Sequence, residues 1–327
     1  MRREAMNKKT NTIRQIADTI KGLKSAVIFT HVRPDGDTVG CAVALSRALS
    51  FLGIKNEMLN EGEIPERYGY LSGKDEFKRR PSFDAEAYIL VDCSDETRLG
   101  GLSKFYQAGA GKHVTINIDH HIANTYFAQH NFVRERASNC ENVAELIRTL
   151  GVKYDEDIAN ALMTGFVTDS GGFSHGDVDG DTFRAAALAM DGGADVALIT
   201  YETMRRRSQA QTRFYLSVVS AVRYLLDGKL GVASVSQAQL EEYGLKPDAT
   251  EGLVDFALTV DGVEVSVCLL EMKRGQYKAS FRSRSVDVND VAAVFGGGGH
   301  VLASGCMLFG DLEEVVDRVR YAVYQRL

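Results

Sequence analysis

The sequence predicts an α/β protein: an N-terminal parallel sheet with helices on both faces, a helical linker, and a smaller mixed α+β domain at the C-terminal end. Three observations lead there. Short, almost wholly apolar runs alternate with segments of helical periodicity, the pattern of strands buried on both faces. Acidic residues and histidines cluster just after those runs, where open parallel sheets bind ligands. From Leu230 onward the texture changes to short alternating strands around a strong turn dipeptide, Asp261-Gly262.

The elements follow in order. Ile13, Ile16, Ala17, Ile20 and Leu23 repeat at helical spacing and predict an amphipathic helix over 11–24. Ala26-Val27-Ile28-Phe29 predicts a strand over 26–30. Ala42, Val43, Leu45, Ala48, Leu49 and Leu52 predict a helix over 38–52, stopped by Gly53. Residues 54–59 read as a second strand and 60–83 as a polar loop. Ala87–Val91 and Val114–Ile118 are the third and fourth strands, running into Asp92 and into Asp119-His120-His121. Helices are expected over 141–150 and 158–168, the second ending at Asp169-Ser170-Gly171-Gly172. Residues 181–227 read as mostly helical, with Arg205–Arg207 as a solvated face. Domains are placed at 1–195 and 228–327, with the linker at 196–227. The last domain should hold strands at 231–235, 256–260, 263–267 and 277–281, with Asp261-Gly262 as a hairpin turn. A helix over 289–295 meets Gly296-Gly297-Gly298-Gly299-His300, and a final helix covers 312–326.

With 327 residues, 45% of them hydrophobic and 25% charged, the chain can bury two ordinary cores. Its net charge of -6 argues against long duplex nucleic acid as a partner, because such binding needs many cations on phosphates. No run approaches the roughly 18 apolar residues of a membrane span. The charged start, residues 1–9, has no apolar core behind it, so no secretion signal is expected. The five cysteines form no C-x-x-C pair and read as reduced thiols of a cytoplasmic protein.

The chemistry is concentrated at the strand ends. Thr30-His31-Val32-Arg33-Pro34-Asp35-Gly36-Asp37 is a tight turn between a strand and a helix. It holds one imidazole and two carboxylates, which repel unless a proton or a cation sits between them. Asp92, His120, His121 and Asp169 stand at corresponding places. A lone Asp after a strand is usually a turn former or a helix cap, as Asp37 could be for a helix starting at Thr38. A lone His, such as His113, His130 or His175, is usually an ordinary core or surface residue. The whole set at one sheet edge suits two divalent cations sharing a carboxylate, with Mn²⁺ favoured by mixed imidazole and carboxylate donors.

These residues carry a resemblance. His31-x-x-Pro34-Asp35-Gly36-Asp37, then Val91-Asp92, Asp119-His120-His121 and Thr168-Asp169-Ser170-Gly171, resemble the DHH phosphoesterase family. Phe281-Arg282-Ser283-Arg284, Gly296–His300 and Ala303-Ser304-Gly305 resemble its DHH-associated domain. Together they are similar to the bacterial nanoRNase/pAp-phosphatase subgroup. The resemblance implies that His31 and Asp35 hold one metal, that Asp37, His120 and Asp169 hold the other, and that Asp92 bridges them. It implies a catalytic His121 close to the scissile phosphate and a supporting Asp119. In the C-terminal domain, glycines let a backbone approach a ligand closely and can turn N–H groups towards an anion. Gly297, Gly298, Gly299 and His300, with Arg282 and Arg284, are therefore expected to grip the substrate. Val301 stands where relatives commonly have Lys, and Gly172-Phe173-Ser174-His175 follows Asp169 in an unusual form.

The function implied is a Mn²⁺-dependent phosphohydrolase with two divalent metal ions. Its substrates would be very short oligoribonucleotides and 3′-phosphoadenosine 5′-phosphate. The alternative within the family is a cyclic-dinucleotide or linear dinucleotide phosphodiesterase. A catalytically silent nucleotide sensor is a rival of another class, but it would be expected to lack ligands that this chain retains. Small nucleotides are the expected partners, with no membrane, and a homodimer is allowed.

Overall fold

The structure, a computed structural model, describes residues 10–250 and 252–327. The charged stretch 1–9 lies outside them. The chain divides into two compact units, one running to Arg206 and one starting at Arg207. Residues 196–227, set apart above as a linker, fall on both sides of that division.

In the first unit α1 (Ile13–Lys21) precedes β1 (Ser25–Phe29), α2 (Gly36–Phe51), β2 (Lys55–Leu59), β3 (Ala87–Val91) and α3 (Ser103–Gly109). Then come β4 (Val114–Asp119), β5 (His130–Val133), α4 (Asn139–Leu150), α5 (Glu156–Asp169), α6 (Gly180–Asp191) and α7 (Val196–Thr200). The strands form one parallel sheet in the order β2-β1-β3-β4-β5. Apolar side chains emerge on both sides. Ala26, Ile28, Ile89 and Ile116 pack with residues of α1, α2, α4 and α5 on one face. Val27, Phe29, Tyr88 and Leu90 pack with Leu99, Leu102 and Tyr106 on the other. Two of this unit's elements were not expected. β5, His130-Asn131-Phe132-Val133, is a short edge strand whose polar composition gives no apolar run, and α3 lacks a cap signal.

The second unit contains α8 (Gln209–Ser220), β6 (Arg223–Leu225), β7 (Leu230–Val235), α9 (Gln237–Glu242) and α10 (Leu253–Phe256). It continues with β8 (Val265–Lys273), β9 (Gln276–Ser283), α11 (Val288–Ala293), β10 (Gly298–His300), β11 (Ala303–Phe309) and α12 (Leu312–Tyr324). Its sheet is mixed, in the order β10-β11-β9-β8-β7-β6, with β7 and β8 parallel and the other pairs antiparallel.

The strand expected over 256–260 is not formed. Residues there belong to α10 and a 3₁₀ turn over Ala257–Thr259, because Leu253, Val254 and Ala257 are buried at helical spacing. Asp261-Gly262 therefore joins a helical segment to β8. The hairpin turn lies instead at Arg274-Gly275, between β8 and β9, where Gly275 takes a φ of 72°. Residues 223–225, read within a helical stretch, form β6. Arg206 pairs with Glu202 at 2.6 Å, and Arg207 lies over the Tyr215 ring, in keeping with a solvated face.

Close packing of α2 on α5 positions the acidic strand ends. A Cβ at Gly36 would collide with the side chain of Thr168, and one at Gly40 with the carbonyl of Ala161. At Gly165 it would strike Cys140 and lie 2.6 Å from Oδ1 of Asp37. Gly40→Ala should therefore destabilise the protein by about 1–3 kcal/mol, through overpacking that α5 can relieve only by moving. Chemical denaturation monitored by circular dichroism measures this, and an unchanged midpoint would contradict the close approach.

Candidate metal centre

Each candidate ligand of the first unit sits where the backbone turns out of a core element. His31 follows β1. Its carbonyl accepts from Nδ2 of Asn60 at 2.8 Å, which ties the turn to the end of β2. Asp35 is the N-cap of α2, its Oδ1 accepting from the Thr38 amide at 3.0 Å. The cap is thus Asp35 and not Asp37, because the helix starts at Gly36, two residues earlier than its apolar repeat suggests. Asp37 lies in the first turn, 1% exposed. Asp92 follows β3 with φ at 58°, a conformation that non-glycine residues rarely adopt and that functional sites often retain. His120 and His121 follow β4. Asp169 is the last residue of α5.

The side chains converge. Nε2 of His31 lies 3.5 Å from Oδ2 of Asp35 and 3.3 Å from Oδ2 of Asp92. Nε2 of His120 lies 3.4 Å from Oδ1 of Asp92, 3.5 Å from Oδ2 of Asp169 and 3.9 Å from Oδ2 of Asp37. His31, Asp35 and Asp92 thus form one potential ligand group, and Asp37, His120 and Asp169 another, the donor atoms of each lying within 4.8 Å of one another. The two oxygens of Asp92 face the two groups.

This arrangement fits metal ions by its own chemistry. Nε2 of His31 and Oδ1 of Asp92 are buried, and neither has a hydrogen-bond partner among the described residues. Hydrogen bonds from the surrounding elements hold the side chains of the centre in place. Nδ1 of His120 meets the carbonyl oxygen of Arg136 at 2.9 Å, which leaves Nε2 free to ligate. Nδ1 of His121 meets Oδ1 of Asp119 at 2.8 Å, and Oδ2 of Asp119 accepts from Nδ2 of Asn124 at 2.6 Å. Asp37 accepts from the Ser138 hydroxyl at 2.6 Å and from the amides of Asn139 and Cys140 at 2.6 and 2.9 Å. The N-terminus of α4 therefore cradles this carboxylate.

Charge is poised accordingly. At His31 burial opposes an imidazolium, but Asp35 and Asp92 outweigh it and raise the pKa to about 9. His120 is likewise raised, burial being outweighed by Asp92, Asp37 and Asp169. Asp92 is held far below the usual carboxylate range, because His120 and His31 overcome its burial. Burial and Asp37 push the Asp169 carboxyl up. Burial and Asp92 raise Asp37 too, against the donation from Ser138. Cys41 and Cys140 also lie beside Asp37, but burial pushes both thiols up, Cys140 to about 12. They pack there as neutral thiols and not as thiolate ligands.

Sequence reasoning missed the residues that hold the ligands. Ser138, with Glu141 three residues on, has the pattern of a helix start, but nothing in it points to Asp37. The Arg136 carbonyl and Asn60 leave no signal. His175, set aside above, meets the carbonyl of Asp169 at 2.9 Å through Nδ1. His113 stacks on Tyr88, as an ordinary histidine would.

The arginines and the glycine loop expected to bind substrate lie in the second unit. Arg282 is on β9, with Nη1 donating to the Phe281 carbonyl at 3.0 Å and Nε 3.5 Å from Asp255. Arg284 is exposed and donates to the Leu258 carbonyl at 2.6 Å. The glycines do not form a cradle of free amides. Gly296 and Gly297 donate to Ala293 and Ala292 at the end of α11, and Gly299 donates to Oδ1 of Asn289. Gly298 to His300 pair with β11. Glycine is needed for proximity instead: a Cβ at Gly297 would meet the carbonyl of Gly305.

Comparison with known proteins places both parts of the chain in known domain families. Residues 25–166 match the DHH family, N-terminal domain, and residues 227–325 match the DHHA1 domain. The chain belongs to the DHH family of phosphoesterases. It is 31% identical to the bifunctional oligoribonuclease and PAP phosphatase NrnA of Thermus thermophilus, over 96% of this chain and 94% of that one. The protein of the same name from Bacillus subtilis is 25% identical, over 92% and 93%. A crystal structure of an exopolyphosphatase-related protein from Bacteroides fragilis has the same fold, with a TM-score of 0.88 at 24% identity, covering 96% of this chain and 95% of that one. Among the described residues, no helix is long and apolar enough to cross a membrane.

A metal ion held by His31, His120 and Asp169 would displace protons from groups whose pKa is raised. Affinity for Mn²⁺ should therefore rise between pH 6 and 9, with net release of about one proton or more per chain at pH 7.5. Calorimetric titration of the metal-free protein in two buffers of different ionisation enthalpy reads this directly. Heats independent of the buffer would contradict the protonation assigned to the centre.

Proposed function

We propose that this chain is a metal-dependent phosphohydrolase that degrades very short oligoribonucleotides to mononucleotides and converts 3′-phosphoadenosine 5′-phosphate to AMP. The observation that carries the reading is Asp92, whose two oxygens face His31 on one side and His120 on the other. The names of the Thermus and Bacillus relatives support the substrate class.

In this reading His31 and Asp35 hold one metal ion, Asp37, His120 and Asp169 hold a second, and Asp92 contributes to both. Manganese suits the mixture of imidazoles and carboxylates. Two divalent ions, when bound, lower the pKa of water and neutralise phosphate charge. The chain's own residues do the rest. The Arg136 carbonyl fixes the ring of His120, and the start of α4 fixes the carboxylate of Asp37. Asp119 engages Nδ1 of His121 and leaves Nε2 to deliver a proton to the leaving oxygen. Arg282, Arg284 and His300 recognise phosphate, while Gly297, Gly298 and Gly299 shape the hairpin that carries His300. The net charge of -6 suits small anions held in local pockets and not long duplexes. Five free, buried cysteines suit a reducing cytoplasm.

Asp92→Ala should abolish hydrolysis, by about 10³-fold or more, while circular dichroism stays native. Asp119→Asn should lower kcat by roughly 10–100-fold with little change in KM, because it loosens a supporting contact and not a phosphate contact. The decisive assay is a substrate panel with Mn²⁺, resolved by chromatography. Mononucleotides from diribonucleotides and phosphate from 3′-phosphoadenosine 5′-phosphate are expected. Neither product appearing, or cyclic di-AMP being linearised faster than linear dinucleotides are cut, would refute the assignment.

A further inference from the structure

Helices α4 and α6 leave a cleft between two matching faces. Glu141, Ala144, Glu145 and Arg148 lie on one side of α4. Asp181, Arg184, Ala185 and Leu188 lie on one side of α6. Both sets have the i, i+3, i+4, i+7 spacing of a single helix face. The cleft measures about 550 Å³ and is also lined by Arg134 and Arg136, which follow β5, and by Tyr154, which precedes α5. That is the size of a small-molecule site. The cleft lies wholly in the first unit, and none of the six candidate metal ligands lines it.

Four guanidinium groups and three carboxylates face this space. The Arg136 side chain is 12% exposed and pairs with Glu145 at 3.0 Å, Glu141 at 3.5 Å and Asp181 at 3.6 Å. Even so, its buried Nε has no hydrogen-bond partner among the described residues. Arg134 pairs with Glu145 at 3.3 Å, and Arg184 with Asp181 at 2.5 Å. Arg148 is exposed and forms no ion pair among the described residues. One cation is therefore left over when every carboxylate is counted. That surplus suits a ligand with a single phosphate group, since a chain of phosphates would be driven against Glu145 and Asp181. The remaining wall is apolar, made by Ala144, Ala185, Leu188 and the ring of Tyr154, whose hydroxyl donates to the Ala144 carbonyl at 3.0 Å. Inorganic phosphate alone would leave this wall and most of the cleft unused.

We propose that this cleft is a separate binding site for a nucleoside monophosphate. Arg148 takes the phosphate, joined by Arg184. Glu145 and Asp181 accept hydrogen bonds from the ribose hydroxyls. The base lies on Leu188, Ala185 and the Tyr154 ring, with guanidinium planes available to stack on it. The site is independent of hydrolysis and of the phosphate contacts of the second unit. One wall is shared with the metal centre, because the carbonyl of Arg136 meets Nδ1 of His120 at 2.9 Å. Arg136 therefore serves both places, and Arg148 and Arg184 are the positions that report on the cleft alone.

The test is a calorimetric titration of AMP into the metal-free full-length protein carrying Arg282→Ala, which removes a phosphate contact assigned to the second unit. One saturable site is expected. Adding Arg148→Glu should weaken it by about tenfold or more, and adding Arg184→Ala by about threefold or more, as loss of a charge-assisted hydrogen bond does. Adenosine and inorganic phosphate should each bind at least about tenfold more weakly than AMP, because each meets only one part of the cleft. Both positions are exposed, so circular dichroism of the variants should stay native. Absence of saturable binding, or binding that neither substitution weakens, overturns the proposal. Phosphate binding as tightly as AMP also overturns it, since the cleft is then a general anion patch. The catalytic reading is judged apart, on the unsubstituted protein with Mn²⁺. If no diribonucleotide is cut but AMP binding depends on Arg148, that reading fails and the nucleotide site stands. If diribonucleotides are cut and AMP does not bind, the site fails alone.

Discussion

The first unit is organised around a buried carboxylate shared by two histidines. Asp92 is 2% exposed and sits between imidazoles that belong to different strand ends. Its carboxylate stays ionised only because both histidines hold positive charge beside it. Around it stand Asp35, Asp37 and Asp169, whose mutual repulsion is tolerable only with compensating protons or cations. In the metal-free protein, protons on the histidines and on the carboxyls pushed up by burial provide that compensation. The same groups are therefore both a charge problem for folding and a ready set of ligands. Its backbone conformation, with φ at 58°, stays in place because the amide of Asp92 donates to the carbonyl of Ile118 at 3.0 Å.

The scaffold concentrates charge at a place that an apolar core can support. Neighbouring parallel strands β1, β3 and β4 end on the same edge, so residues distant in sequence arrive together. Helices α2 and α5 meet through glycine, which brings Asp37 and Asp169 within 4 Å of Nε2 of His120. The N-terminus of α4 supplies two backbone amides and a hydroxyl to Asp37. Asp37 and Asp169 thus stand on helices, Asp35 caps one, and His31, Asp92 and His120 stand directly past strand ends.

The second unit uses a different economy. Its sheet is apolar on one side, and on the other α8, α9 and α10 pack over β7 and β8 while His300, Lys278 and Phe309 are exposed. Arg282 and His300 share one side of the sheet because strand register puts them in one row. The glycines before His300 serve the close approach of the chain to β11 and the exit from α11. Their amides are spent inside the unit, so phosphate recognition falls to side chains.

The sequence alone determined the fold class and the strands carrying the centre, and it singled out seven polar groups at the strand ends, which the resemblance to the DHH family reduced to six candidate ligands. Strands buried on both faces must be apolar throughout, and acids gathered at the ends of such strands repel one another unless a cation or a proton lies among them. His31, Asp35, Asp37, Asp92, His120, His121 and Asp169 could therefore be singled out before any distance was known, and the resemblance implied which six of them would be ligands. The tertiary structure decided what depends on partners remote in sequence. That Asp35 caps α2, that Ser138 and the Arg136 carbonyl hold the ligands, and that His175 supports Asp169 follow from contacts without local periodicity. The segment over 256–260 looked like a strand, but burial of Leu253, Val254 and Ala257 made it helical. A loop of glycines reads as a cradle until the surrounding helix and hairpin are seen to consume its amides. Local pattern records which side an element buries. Which donor meets which acceptor is settled only when the whole chain closes around them.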